Sequence, residues 1–352
     1  MTTGNDTAVS SDTDRAELLA RVAATRVTQP AFGYWQSGVL FELLDSGVVD
    51  CLVEAAHCAD PAAACGLNPA GTVALLRAGQ ALGLIEKRTE GWSLLPAARA
   101  FLDPASQASL RHWFAVMRRW QAPWARLHEA LRDTGAGGGS ATLEDDPAYV
   151  RDFILGMHEF ARLTSDAVIA AAPGVFPRPG ATDSLLDVGG GAGTYTVAAL
   201  RRAGAATATV LDRPDVVAIT GEIADREGVS ERLRAVAGDY RGRYLQSGDA
   251  AHRTVLLSNV LHQEDDAVAV QMLVEARRAT TPDGHVVVHT HLVDNERPRL
   301  FPALQGVSAF VLWSGGAGMT ALRLRTLVAR SGLTLHSTVT VKESGTTLAV
   351  CR

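Results

Sequence analysis

The pattern of apolar and polar positions changes character about halfway along the chain. In "SGVLFELLDSGVVDCLVEA" the apolar residues Val39, Leu40, Leu43, Leu44 and Val48 recur at helical spacing, which puts them on one side of a helix. A helix is expected from Pro69 to about Ala81, stopped by Gly83, with two short strands around Glu90 and Gly91. A helix followed by a two-stranded hairpin is a winged-helix pattern. Residues 106–172 read as helical, with aromatics in "RHWFAVMRRWQAPW" and "DFILGMHEFARLTSDAVIAAAP" and a glycine-rich loop, "TGAGGGSATLEDDP", between them. "GVFPRPGATDS" reads as a linker. Beyond it strands and helices alternate: strand "SLLDVG", helix from Thr194, strand "ATATVLDR", helix from about Val216, strands "LRAVAGDY" and "RTVLLSNV", helix from Asp265, strand "GHVVVHTHL", a late helix, and strands "TLHSTVTV" and "TTLAVCR". That alternation predicts an α/β, Rossmann-like, doubly wound parallel sheet covered on both faces. The terminal hairpin suits an antiparallel edge. The expected domains are a disordered tail over 1–15, a mostly helical winged-helix-like domain over 16–105, a helical connector and pocket lid over 106–175, and the α/β domain over 176–352.

Composition narrows the options. The chain has 352 residues, 47% hydrophobic and 20% charged, enough to bury a sizeable core. Its net charge of −5 gives no electrostatic footprint for nucleic acid or an anionic membrane. The presumed recognition helix offers only Arg77, and the wing only Lys87 and Arg88, so the winged helix is expected to meet protein rather than DNA. No apolar run reaches the ~18 residues of a membrane span. The polar opening "MTTGNDTAVSSDTD" is expected to be a frayed tail rather than a targeting signal. Cys51, Cys58 and Cys65 recur every seven residues, one face of a helix interrupted by Pro61 and Gly66. They are expected to be reduced cytoplasmic thiols, not a metal site, because zinc pairs stand closer in sequence.

"LLDVGGGAGTYTVAAL" carries the chemistry. Gly189, Gly190, Gly191 and Gly193 follow the end of the first strand of the sheet, and glycine lets a backbone turn sharply and approach a ligand. Gly189 and Gly191 fit the first two positions of a dinucleotide fingerprint, but Thr194 holds the third. No Gly-Lys-Ser/Thr follows, which excludes a P-loop. Asp187, at the strand end, would repel a pyrophosphate and welcome an ammonium. S-adenosylmethionine (SAM) has an ammonium, a sulfonium and no phosphate. Asp212 ends the second strand, where a carboxylate can accept from both ribose hydroxyls. Asp239, at the end of the third, could take an adenine amino group. The three acids and the glycine loop together point to SAM.

"LLDVGGGAGTYTVAAL", "LDRPDVV", "GDY" and "SNVLHQEDD" resemble the bacterial and plant small-molecule O-methyltransferases, over nearly the whole chain from about residue 16. The resemblance implies a SAM-binding domain preceded by a winged-helix-type domain that makes a homodimer. It implies that Asp187 and Gly189 contact the methionine end of SAM, with Gly191 in the same loop. Asp212 would hold the ribose, beside Arg213 of the "LDRP" segment, and Asp239 with Tyr240 would flank the adenine. Ser258 is placed among the cofactor residues. It also implies that His262 is the general base, a role suited to a histidine near its unperturbed pKa. The acceptor pocket is expected from Trp120, Met157, Phe160, Phe310, Trp313 and His289. His112, His128, His158 and His336 are expected to be structural.

The chain departs from that family in three places. Gln263 and Glu264 stand where Asp-Trp usually follows the histidine, and His289 stands where a glutamate usually ends the next strand. Gly318 of "GGAGMT" stands where a second glutamate is usual. Both carboxylates that would hold the imidazole are missing, which leaves the ring less fixed and its cation less stabilised. Glu264 or Asp265 could compensate. His289 and His291 share a strand face and could approach His262 around a metal, but pocket lining or packing is the expected role. The expectation is a cytoplasmic, SAM-dependent methyltransferase that O-methylates a small aromatic metabolite in bacterial natural-product biosynthesis. The alternatives are C-methylation of an electron-rich ring, or a SAM-binding enzyme of this fold that does not methylate.

Overall fold

The computed structural model describes residues 24–132, 143, 145–244 and 251–352. The expected tail over 1–15, and all but a few residues of the glycine-rich loop before Pro147, lie outside the described residues. The chain divides into two compact units after Ser109.

In the first unit the segment with helical spacing forms two short helices. α1 (Gly33–Asp45) and α2 (Val48–Glu54) are separated by Gly47 at φ +78°, a left-handed conformation that costs glycine no steric strain. α3 (Pro61–Cys65) and α4 (Pro69–Ala81) follow, α4 capped by Asn68, which accepts from the Gly71 N–H at 2.9 Å. β1 (Ile85–Arg88) and β2 (Gly91–Leu94) pair antiparallel, and α5 (Pro96–Leu102) completes the unit. Leu43, Leu52, Leu76 and Ile85 are fully buried and form its core. The three cysteines do not share one helix face. Cys51 lies on α2, Cys58 in the loop that bridges to Trp92, and Cys65 at the end of α3, yet the Cys51 thiol hydrogen-bonds to both others. Burial and those neighbours push Cys51 up to about 12, so it stays a protonated, unreactive thiol.

The second unit begins with α6 (Arg111–Arg119), α7 (Gln121–Ala125), α8 (Leu127–Ala130), α9 (Pro147–Arg162) and α10 (Ser165–Ala171). The alternating region follows: β3 (Ser184–Val188), α11 (Thr194–Arg202), β4 (Thr207–Asp212), α12 (Pro214–Arg226), β5 (Leu233–Ala237), β6 (His252–Ser258), α13 (Asp266–Arg278), β7 (Thr280–Thr290), α14 (Leu300–Leu312), α15 (Ala321–Arg330), β8 (Leu335–Thr340) and β9 (Thr347–Cys351). The seven strands run in the order β5-β4-β3-β6-β7-β9-β8, parallel from β5 to β7 and antiparallel at β9 and β8. The terminal hairpin inserts its last strand, which is wholly buried, beside β7 and leaves the mostly exposed β8 at the edge.

Side chains alternate between the faces of the sheet. Leu185, Val210, Leu256, Val287 and Leu348 pack on one face with residues of α9, α10, α11 and α12. Leu186, Val188, Leu257, Val288 and Ala349 pack on the other with α13 and α15. His158 ties the first layer together: Nδ1 meets the Thr194 hydroxyl at 2.9 Å, and Nε2 accepts from Arg226 at 2.9 Å. The strand order reverses between β3 and β6, which opens a crevice at their carboxyl ends. The predicted cofactor residues lie at or just beyond the carboxyl ends of β3 to β6, and the predicted acceptor residues come mainly from α9 and α14 and the segments that flank them.

Candidate active site

Asp187 is the last-but-one residue of β3, flanked by β4 and β6 on both sides, and is 1% exposed. Its Oδ2 accepts from the Thr196 hydroxyl at 2.8 Å, while its Oδ1 is buried and has no partner. Burial, and secondarily the Asp212 charge, push this carboxyl up to about 7. A buried carboxylate lacking a cation is costly; an ammonium at Oδ1 would supply what is missing. The loop above is shaped for such a neighbour. A β-carbon on Gly190 would stand 2.7 Å from the Asp187 carboxyl carbon, so the backbone lies directly over the acid. Gly191 adopts φ +57° and faces open space, its nearest neighbour being Ile154 at 3.8 Å.

Asp212 ends β4 and accepts from the Gly191 N–H at 2.7 Å and from the Arg213 N–H at 2.8 Å. Each oxygen retains a lone pair for a hydroxyl donor. Burial raises its pKa. The Arg213 side chain turns away, paired with Asp215 at 2.6 Å. Asp239 is not a strand end: β5 stops at Ala237, and Asp239 is exposed and accepts from the Arg241 N–H at 2.9 Å. Tyr240 is held harder. Its hydroxyl donates to Glu264 at 3.1 Å, and the Arg241 guanidinium lies 5.0 Å from its ring centroid. Its phenol is pushed above its ordinary pKa by burial and the Glu264 charge.

Glu264 is therefore committed to Tyr240 and Arg241, and Asp265 caps α13 through the N–H groups of Ala267 and Val268. Neither replaces the missing partner of His262. His289 does not replace it either, nor does it line an acceptor pocket. It follows the parity of Val287, so it packs on the face that carries α11. There Nδ1 meets Ser258 at 2.8 Å, Nε2 meets Thr346 at 2.8 Å, and the ring lies 4.9 Å from that of Tyr195. It is fully buried, and burial lowers it to about 3. Ser258 also hydrogen-bonds the Tyr195 hydroxyl. His291 leaves the end of β7 and lines a recess with His262, Pro302, Gly306, Gly318 and Met319.

His262 sits in a short turn, Leu261–Gln263, beyond β6 and is 7% exposed. Its Nδ1 is buried without a partner. Burial, then His291 and Arg323, lower it to about 4. It stands at one end of a run of ring contacts. Trp313 meets it edge-on at 5.8 Å, Trp120 meets Trp313 at 6.1 Å, and Trp113 meets Trp120 at 6.3 Å. Phe160 stacks on Trp113 at 4.6 Å and on Phe301 at 6.0 Å, and Phe301 meets His291 at 5.0 Å. The run thus leaves the recess at His262 and returns to it at His291. Met157 lies one turn before Phe160 and is half-buried. Phe310 instead lines a separate, open cavity of about 550 Å3.

A family model for the O-methyltransferase domain matches residues 124–334. The chain belongs to the O-methyltransferase family. This methyltransferase uses SAM as its methyl donor. It is 27% identical to the 3-hydroxy-5-methyl-1-naphthoate 3-O-methyltransferase of Streptomyces sahachiroi over 279 residues, 78% of this chain and 79% of that one. It is 27% identical to the 3-amino-4-hydroxybenzoate 4-O-methyltransferase of Streptomyces cremeus over 334 residues, 91% and 87% of the two chains. Human N-acetylserotonin methyltransferase, solved with SAM, superposes with a TM-score of 0.80 at 22% identity, covering 100% of this chain and 99% of that one; at that identity the likeness is one of fold. Sequence reasoning did not single out Thr196, Tyr195, Trp113 or Phe301 for the methyltransferase site. Thr196 could have been found two residues after Thr194, at the start of the helix that follows the glycine loop. Trp113 and Phe301 each reach Phe160, and only through tertiary packing.

Proposed function

We propose that this methyltransferase transfers a methyl group to a hydroxyl of a small aromatic metabolite, with His262 as the base. The observation that carries the reading is the run of aromatic rings that starts and ends on the His262 recess. Aromatic faces and edges of this kind bind a flat aromatic guest and fix its orientation. The O-methyltransferases of the Streptomyces relatives act on a hydroxynaphthoate and an aminohydroxybenzoate, which supports the same acceptor class here.

SAM, when bound, supplies an electrophilic methyl carbon activated by its sulfonium. Asp187 would hold the ammonium at its unpartnered oxygen, under a glycine loop that admits close approach at Gly191, while Gly189 is glycine because Val260 packs against it. Asp212 would take the ribose hydroxyls and Tyr240 would flank the adenine, with Ser258, through Tyr195 and His289, bracing the floor. His262 is neutral across the neutral pH range because its pKa is lowered. It can therefore take the hydroxyl proton without first losing one. Its Nδ1 has no acceptor to pin the tautomer, so it is a weaker and less oriented base than one backed by a carboxylate. Trp313, Trp120 and Phe160 would align the acceptor ring, with Met157 beside them.

The N-terminal unit carries Phe32, Tyr34 and Trp35 exposed and in ring contact at 4.9 and 5.9 Å. An exposed aromatic cluster of this kind suits a homodimer interface. No described helix is long and apolar enough to cross a membrane, which accords with a cytoplasmic enzyme.

The test is incubation with methyl-labelled SAM and a panel of phenols and aminophenols, with the methylated atom located by NMR. O-methylation is expected. His262→Ala should lower turnover by roughly 10²–10⁴, toward the lower end for so weak a base, and leave SAM affinity nearly intact. The wild-type kcat/KM should show no acid limb near 6.5, only one approaching 4. Methylation confined to carbon or nitrogen, or full turnover in His262→Ala, would overturn the assignment.

A further inference from the structure

β6 ends at Ser258, and the next residue, Asn259, has φ +54°. A left-handed φ is uncommon outside glycine. Ser258 follows the parity of Leu256 onto the face of the sheet that carries α11. An unbroken strand would send Asn259 to the opposite face. The left-handed turn instead leaves its Nδ2 beside the Ser258 hydroxyl, to which it donates at 3.5 Å. Its N–H donates to the His289 carbonyl at 2.8 Å, and its carbonyl accepts from the Gln263 side-chain amide at 3.4 Å. Only Oδ1 is left over: it is buried and has no partner.

Asparagine is one of the few residues besides glycine at home in this region, so the backbone alone permits it. Glycine, however, adopts the conformation without steric cost and would leave no orphaned acceptor, which is costly when buried. The side chain is thus held in place at the expense of the free protein's stability. The other buried acceptor of this floor that lacks a donor is Asp187 Oδ1. The two stand on neighbouring strands. Val188 of β3 pairs with Leu257 of β6, so the glycine loop on one side faces Ser258 and Asn259 on the other. A β-carbon on Gly189 would stand 2.7 Å from a Val260 methyl, and the Tyr195 hydroxyl, which bonds Ser258, feels the Asp187 charge. Two acceptors in one floor call for a ligand with several donors. An ammonium brings three, whereas a phenol or a single ribose hydroxyl brings one.

We infer that the Asn259 side chain is a second binding group for the ammonium of SAM, its Oδ1 accepting alongside the Asp187 carboxylate. This rests on the reading of Asp187 as the ammonium's partner. The methionine end is then held by one charged and one neutral acceptor, from the two central strands β3 and β6, and two points of attachment orient it where one would leave it free to turn.

The experiment is calorimetry on the full chain with S-adenosylhomocysteine and with its deaminated analogue, in which hydrogen replaces the amine and the carboxylate remains. The readout is the ratio of the two Kd values, analogue over parent, which isolates the amine. Asn259→Gly keeps the backbone conformation and removes the acceptor. It should lower that ratio by about tenfold, the scale of one hydrogen bond to a charged group, with the analogue's own Kd within about twofold of wild type. Melting without ligand checks the fold: the variant should be no less stable than the wild type, since the orphan is gone and glycine suits the turn. Asn259→Asp keeps an acceptor oxygen and tolerates the same φ, so it should hold the ratio within about threefold of wild type or raise it. An equal loss for both ligands, an unchanged ratio in Asn259→Gly, or a fall in Asn259→Asp as large as that in Asn259→Gly would overturn the inference. Asp187→Asn tests the reading beneath it, and there the ratio should fall about ten- to a hundredfold. A fall in Asp187→Asn without one in Asn259→Gly rejects the inference alone. A fall in Asn259→Gly alone keeps it and removes Asp187, and a fall in neither removes the ammonium from this floor.

Discussion

At the scale of single residues, Asp187 and His262 are both buried, and burial moves them in opposite directions. The Asp187 carboxyl is raised to about 7 and the His262 imidazole lowered to about 4, since a low-dielectric surrounding disfavours whichever form is charged. For Asp187 the consequence is a conflict between stability and binding. Its folded pKa lies above its unfolded one, so it favours the folded state below the unfolded value near 3.9. That contribution declines as the pH rises and is gone above about 7. Asp187→Asn should therefore raise the melting temperature of the free protein at pH 8. It should also weaken SAM by about ten- to a hundredfold, the worth of a charge-assisted bond. Thermal unfolding and calorimetry on the same variant check both. A variant that binds SAM as tightly as the wild type would remove Asp187 from the cofactor site.

At the scale of elements, the sequence pattern is a good guide to where helices and strands form and a poor one to what they touch. Helical spacing located α4, and turn residues located the hairpin β1–β2, because those signals are local. The contact of α6 with α9 is not local. A β-carbon on Gly156 of α9 would stand 2.8 Å from the Trp113 backbone nitrogen and 2.9 Å from its Cα, so the two helices touch backbone to backbone there. Gly221 on α12 has nothing within 4 Å. The same substitution should thus act with opposite sign at the two sites. Gly221→Ala should stabilise by up to ~1 kcal/mol through helix propensity. Gly156→Ala should destabilise by ~1–3 kcal/mol, because a backbone neighbour cannot swing aside. It should also raise the acceptor KM by displacing Trp113 from Phe160. Denaturant titration of both variants measures the difference; a stabilised Gly156→Ala would mean that α6 and α9 do not pack this closely.

At the scale of the molecule, four histidines are carried in the second unit as neutral groups. Burial lowers His158, His262 and His291 to about 4 and His289 to about 3. The unfolded chain protonates its histidines near 6.5 and so binds more protons than the folded one between that pH and about 4. Their stabilisation is complete above 6.5 and is lost as the pH falls toward 4. Asp187, Asp212 and Glu159, all raised by burial, run the other way, but three carboxyls stand against four imidazoles. The melting temperature should drop steeply between pH 6.5 and 4.5, before most carboxylates titrate. A melting temperature flat over that interval would show that these imidazoles are not buried in neutral form.

The sequence by itself determined the doubly wound sheet, the glycine loop after β3 and the acids Asp187 and Asp212 at the strand ends. These are set by alternation, by glycine at a turn and by position along a single element, all of which are short-range. It also located the turn that carries His262. Only the tertiary structure decided which side chains that histidine meets. Parity alone put His289 and His291 together, but β7 ends at Thr290. One imidazole stays in the sheet, locked between Ser258 and Thr346, while the other swings to the recess. Glu264 likewise lies two residues from His262 and yet serves Tyr240 and Arg241, because the chain turns between them. The ring contacts from Trp113 through Phe160 to Phe301 join three separate segments, α6, α9 and α14. Burial, and with it the proton affinity of every group at the site, is a property of the packed molecule, since it depends on neighbours far apart in the chain.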